Sequence, residues 1–130
     1  MCRKILLVLS LLSIFLTVSC KTQDTRIDIH DAVGKTEDSF KRIDGMITAS
    51  SFDGIKDVKF RLMVDGNLTE AEATKLFKRT MDTIAQFSNR PDVWDYYNGF
   101  FDIKNYDQGV IYEGTKLIGE DLKVQSKKKG

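Results

Sequence analysis

Three features of the amino-acid sequence predict an α+β domain. Apolar residues recur at helical spacing in two stretches, a strictly alternating segment lies between them, and the second half is rich in aromatic, strand-favouring residues. Together they imply two helices packed on one face of a small antiparallel sheet of about three strands. The implied order is helix, strand, helix, strand, strand, with the last two strands as a hairpin.

The first helix rests on Ile29, Val33, Thr36, Phe40, Ile43 and Ile47, spaced by four and three. Gly34 and Gly45 weaken it, so its helicity depends on packing. Ala49–Gly54 reads as a loop. In the first strand Val58, Phe60, Leu62 and Val64 alternate with Asp57, Lys59, Arg61 and Met63, which describes a half-buried strand. Asp65-Gly66-Asn67 ends it as a turn.

The second helix is expected over residues 70–88. Thr69 and Glu72 have capping-box spacing, and Leu68 and Ala73 suit a hydrophobic staple. Ala73, Leu76, Phe77, Thr80, Ile84 and Phe87 line one face, and Asn89-Arg90-Pro91 stops the helix. A strand is then expected over residues 93–104, because Trp94, Tyr96, Tyr97, Phe100 and Phe101 favour extended backbone. Gly99 suggests a bulge or a close backbone approach. Residues 105–109 form a turn, Val110–Tyr112 opens the last strand, and Gly114 and Gly119 interrupt it.

The N-terminus precedes this domain with a different pattern. Arg3-Lys4 stands before an apolar run from Ile5 to Leu16, and small residues close the segment. Such a basic, then apolar, then small order is that of a secretory signal peptide, here residues 1–19. The apolar run is too short to span a bilayer, which takes about 20 residues. Residues 20–26 are then a tether, residues 27–126 a single domain and residues 127–130 a basic tail.

The formal net charge is +1. Without Arg3, Lys4 and Lys127–Lys129 it becomes −4, so the globular part is mildly acidic. That balance argues against a nucleic-acid partner. The three tail lysines are too few for a binding patch and read as a solubilising terminus.

No catalytic set is apparent, and neither a cofactor nor a metal is expected. His30, the only histidine, stands near the tether and away from any pocket-forming motif. Neither Asp65, Asn67 and Glu70 nor Asp102, Asn105 and Asp107 has the spacing of a calcium loop. The acids Asp92, Asp95, Asp102 and Asp107 cluster around the aromatic stretch. Paired carboxylates beside Trp94 and Tyr97 would suit a glycan. In a regular strand, however, the odd separation of Asp95 and Asp102 puts them on opposite faces. Acids at a strand edge that discourage pairing are the simpler account.

The aromatic stretch is the most informative segment. In a strand, one side would present Trp94, Tyr96, Asn98 and Phe100, and the other Val93, Tyr97 and Phe101. One set faces the helices. The other either lies open beside Asp95 and Asp102, as in a protein-binding hot spot, or is covered by the chain itself.

Leu16-Thr17-Val18-Ser19-Cys20 resembles the lipobox of bacterial lipoproteins, with Thr17 where leucine is most usual. The resemblance implies diacylglyceryl attachment at the Cys20 sulfur, cleavage before it, and a lipid-anchored location on the extracytoplasmic face of a bacterial cell membrane. Cys2 leaves with the signal, so the mature chain has no free thiol or disulfide. The layout of lipobox, size and α+β order is similar to small Gram-positive lipoproteins, among them the exclusion lipoproteins of conjugative elements. That similarity implies a non-enzymatic interaction module of exclusion or immunity type, whose partner is an envelope or conjugation-machinery protein. The alternative is an envelope protein that binds or hydrolyses glycans.

Overall fold

The computed structural model describes residues 27–43 and 45–128. The signal peptide, the lipobox with Cys20 and the tether up to residue 26 lie outside the described residues, as do Lys129 and Gly130. Among the described residues the order is α1 (Ile29–Phe40), β1 (Met46–Asp53), β2 (Asp57–Val64), α2 (Glu70–Ser88), a short 3-10 turn (Val93–Asp95), β3 (Asn98–Asn105), β4 (Gly109–Lys116) and β5 (Lys123–Ser126).

The domain is α+β, with two helices against one face of the sheet. The sheet differs from the expected one in size and direction. It has five strands in sequence order, and β2 pairs with β3 in parallel while the other neighbours are antiparallel. α2 supplies the crossover that a parallel neighbour requires.

α1 starts at Asp28, whose carboxylate accepts from the Asp31 N–H at 3.0 Å. Ile29, Ala32, Val33, Thr36 and Phe40 are its buried stripe. It ends at Phe40, so Ile43 and Ile47 are not part of it; Ile47 lies in β1. The segment expected as a loop, Ala49–Asp53, is the body of β1. Its backbone pairs with β2, as Ser51 opposite Phe60 and Asp53 opposite Val58. Local propensity for Ala-Ser-Ser is weak, and the ladder offered by β2 overrides it.

β2 alternates as expected, with Val58, Phe60, Leu62 and Val64 buried. α2 carries the complete capping box. The Thr69 hydroxyl accepts from the Glu72 N–H at 3.2 Å, and the Glu72 carboxylate accepts from the Thr69 N–H at 3.0 Å. Its C-terminus closes on Asn89 in the left-handed conformation, φ 56°.

The aromatic stretch is not one strand. Pro91 is followed by a 3-10 turn, and β3 begins only at Asn98. Gly99 is not a bulge, since the β2–β3 register is continuous from Asp57–Asn98 to Val64–Asn105. A Cβ at Gly99 would stand 2.5 Å from the Phe101 ring and 3.0 Å from the Trp94 ring, so the glycine serves close packing. Gly114 likewise does not interrupt β4. A Cβ there would lie 2.7 Å from the ring of Phe77, which is fully buried against the strand. The register shift falls instead at Ile111, which lets Ile111 and Tyr112 both be buried.

The basic residues after β5 fold back on the domain. Lys127 N–H donates to the Ile111 carbonyl at 2.8 Å. The Lys128 ammonium donates to the Leu68 carbonyl at 2.6 Å and sits 5.0 Å from the Tyr112 ring centroid.

Candidate interaction surface

The helices cover the face of the sheet that carries Phe60, Leu62, Phe101 and Ile103. The opposite face is open among the described residues. Its central rows follow from the register. Lys59, Phe100, Thr115 and Lys123 stand side by side across four strands, and Arg61, Asp102, Glu113 and Gln125 form the next row. These residues are exposed or half-buried.

Phe100 is the aromatic of these two rows and is half-buried. Beside it, Arg61 and Asp102 make a bidentate pair, Nε to Oδ1 at 2.8 Å and Nη2 to Oδ2 at 2.9 Å. The carboxylate raises the Arg61 pKa above its ordinary value, through the hydrogen bond first and charge second, so the guanidinium stays charged. Lys127 approaches Glu113 at 3.7 Å from the sheet edge. Asp57, Lys59, Arg61, Phe100, Asp102 and Thr115 line a broad, open depression of about 680 Å³.

Asn98 opens β3 and ties loops together. Its backbone N–H donates to the Lys56 carbonyl at 2.7 Å. Its side-chain amide donates to Asp57 Oδ1 at 3.0 Å, and its amide oxygen accepts from the Ile118 N–H at 2.8 Å.

Of the residues singled out in the sequence, Asn98, Phe100 and Asp102 therefore share the open face of β3. Trp94, Tyr96 and Asp95 do not join them, because their segment turns rather than extends. Trp94 is 7% exposed, its ring meets Phe101 edge-on at 5.7 Å, and its indole N–H donates to the Met81 carbonyl at 3.0 Å. It is a core residue. Tyr96 is exposed in the turn, with the Arg90 guanidinium 5.5 Å from its ring centroid. Arg90 in turn clamps Asp92 at 2.9 and 3.1 Å, and this hydrogen bonding holds the Asp92 carboxyl below its usual range. Asp107 lies in the β3–β4 turn. The acids around the aromatic stretch thus fall into separate places and do not form a pair.

Lys59, Arg61, Glu113, Thr115, Lys123 and Gln125 are members of the surface that aromatic content did not indicate. For β2 the signal was present in its polar alternate positions. For Glu113 it was hidden, because the glycines around it masked the strand. His30 is exposed on the first turn of α1. Asn67, considered for calcium, accepts from the Gln108 amide at 3.3 Å. Among the described residues no group of three metal-ligating side chains converges, and no helix is long and apolar enough to cross a membrane.

The fold and surface define an α+β domain with one open, charged face around an aromatic. No family model matches the chain, and no curated protein matches it. Among solved structures it is similar to one described as "Crystal structure of Sex pheromone staph-cAM373 precursor", at 12% identity and a TM-score of 0.47. The match covers 71% of this chain and 39% of that one, so the chain spans about two-fifths of that protein's length.

Proposed function

We propose that this chain is a lipid-anchored bacterial surface lipoprotein that acts as a non-enzymatic protein-interaction module. Anchoring rests on the lipobox ending at Cys20, where two acyl chains on one residue give stable attachment. The interaction role rests on the open face of the sheet, where Phe100 lies between Lys59 and Thr115 with the Arg61–Asp102 pair in the adjacent row. An aromatic and an arginine on one open face are the residue types in which binding hot spots are enriched. The partner is an envelope or conjugation-machinery protein, and the role is of exclusion or immunity type.

The glycan reading has less support. Its platform residue Trp94 is in the core, and its proposed carboxylate Asp102 is held by Arg61.

Crosslinking of the acylated protein in its own membrane, followed by mass spectrometry, tests the proposal. One dominant envelope protein is expected, reduced by Phe100→Ala and by Cys20→Ser. Recovery that is unchanged by Phe100→Ala removes the open face from the account. Recovery of nothing above Cys20→Ser removes a stable complex.

A further inference from the structure

Four large apolar side chains are strongly exposed among the described residues: Ile55 at 95%, Tyr106 at 73%, Tyr96 at 51% and Ile118 at 40%. Single exposed apolar residues are ordinary. The placement of three of these is not. β2 and β3 are parallel, so they start at the same end of the sheet, where β4 also ends and β5 begins. Ile55 lies in the turn before β2, Tyr96 in the turn before β3, and Ile118 in the loop after β4. Tyr106 follows β3 and is at the opposite end.

The three loops are fixed to one another. Asn98 bonds to Lys56 in the first loop, to Asp57 where β2 starts and to Ile118 in the third loop, and it follows the second by one residue. The Gly54 N–H closes the first turn on the Asp57 carbonyl at 2.7 Å. Tyr96 is held under Arg90. The three apolar side chains are thus presented by pre-organised loops, which lose little freedom when they are covered.

We infer that this end of the domain rests on the lipid bilayer, with Ile55, Tyr96 and Ile118 in the headgroup boundary. The inference builds on the lipid-anchored reading above. From Cys20 to Ile27 the chain spans seven residues, which reach about 25 Å at full extension. That is no more than the width of a domain whose radius of gyration is about 13 Å. A tether so short keeps some part of the surface at the membrane. The end that displays isoleucine and tyrosine is the one whose burial there is favourable. Tyrosine suits the interface, where its ring is buried and its hydroxyl stays wet. Lys56 stands beside Ile55 and can keep its ammonium among the headgroups. Charge does not choose between the ends, since Asp57, Asp95, Glu120 and Asp121 stand at this one and Asp65 and Asp107 lie with Lys127 and Lys128 at the other; the apolar side chains do.

The cysteine content makes the test direct, since Cys20 is the one cysteine after the signal and its thiol is used in acylation. Ile55→Cys, Ile118→Cys and Tyr106→Cys are made singly in the acylated protein, labelled with bimane and reconstituted in phosphatidylglycerol–phosphatidylcholine vesicles with brominated acyl chains. Quenching at positions 55 and 118 is expected to exceed that at 106 by at least about twofold, because bromine lies at acyl-chain depth. Quenching that is equal or greater at 106, or absent at all three, overturns the inference. The mass of the N-terminal peptide reports acylation separately. Should Cys20 prove unmodified, the anchoring reading fails. The same quenching, measured on the labelled variants in a Cys20→Ser background held through an N-terminal polyhistidine segment on nickel-chelating lipid, then decides the contact by the same outcomes.

Discussion

The two faces of the sheet are built by different physics. The helix-covered face is governed by volume. Phe77 lies fully buried over Gly114, Phe101 and Trp94 close over Gly99, and each glycine is where a Cβ would collide. The open face is governed by register. Lys59, Arg61, Asp102 and Glu113 meet because strands align them, and the exposed Arg61–Asp102 pair among them contributes little to folding. One face therefore fixes the fold, and the other is free to vary with a partner.

The largest expected effect is on the covered face. Phe77→Ala removes a fully buried ring and should cost about 3–5 kcal/mol in urea unfolding. Gly114→Ala forces the same ring to shift and should cost about 1–3 kcal/mol. If Gly114→Ala leaves stability unchanged, the close approach of Phe77 is not a constraint.

Asn98 lies between the two regimes, because it joins loops rather than filling a core. Asn98→Ala keeps the backbone bond to Lys56 but loses the side-chain bonds to Asp57 and Ile118. A loss of about 1–2 kcal/mol is expected. Faster amide exchange at Ile118 would show that the loop, not the core, has loosened.

On the open face the balance reverses. Arg61→Ala should cost no more than about 1 kcal/mol, since the Arg61 side chain is 44% exposed and its pair is screened by water. Phe100→Ala should also leave the fold intact. Both should lower crosslinking to the partner far more than they lower the unfolding midpoint. A variant that unfolds instead would break the distinction between the faces.

The same division explains how much could be read from the sequence. α2 was legible because its signals are local: Thr69 and Glu72 at capping distance and a periodic apolar face. β2 was legible because its alternation is strict. β1 was not, since Ala49-Ser50-Ser51 has little preference of its own and is ordered by pairing with β2. β5 is only four residues long, too short for a pattern. The parallel pairing of β2 with β3, which builds the open face, joins residues 41 apart such as Arg61 and Asp102. Nothing local encodes it. The phase of Asn98, Phe100 and Asp102 was correct because it depends only on the period of two. Trp94, Tyr96 and Asp95 left that phase when Pro91 and the 3-10 turn displaced the start of the strand.

The smallest expected effect belongs to two carboxylates that are on neither face. Glu72 is held below its ordinary pKa by the Thr69 backbone N–H and then by the Thr69 hydroxyl, and Asp92 by the Arg90 guanidinium. In both, the folded chain favours the charged form. Their contribution is present above the unfolded pKa, about 4, and is lost as pH falls through the lowered folded values. The urea midpoint should fall as the solution is taken below about pH 4. Glu72→Gln and Asp92→Asn should each flatten that fall and change little at neutral pH. Arg61 remains a cation throughout this range, so its half of the open-face pair does not titrate with them. Acid sensitivity that persisted undiminished in both variants would remove the Thr69–Glu72 cap and the Arg90–Asp92 clamp from the account of pH-dependent stability.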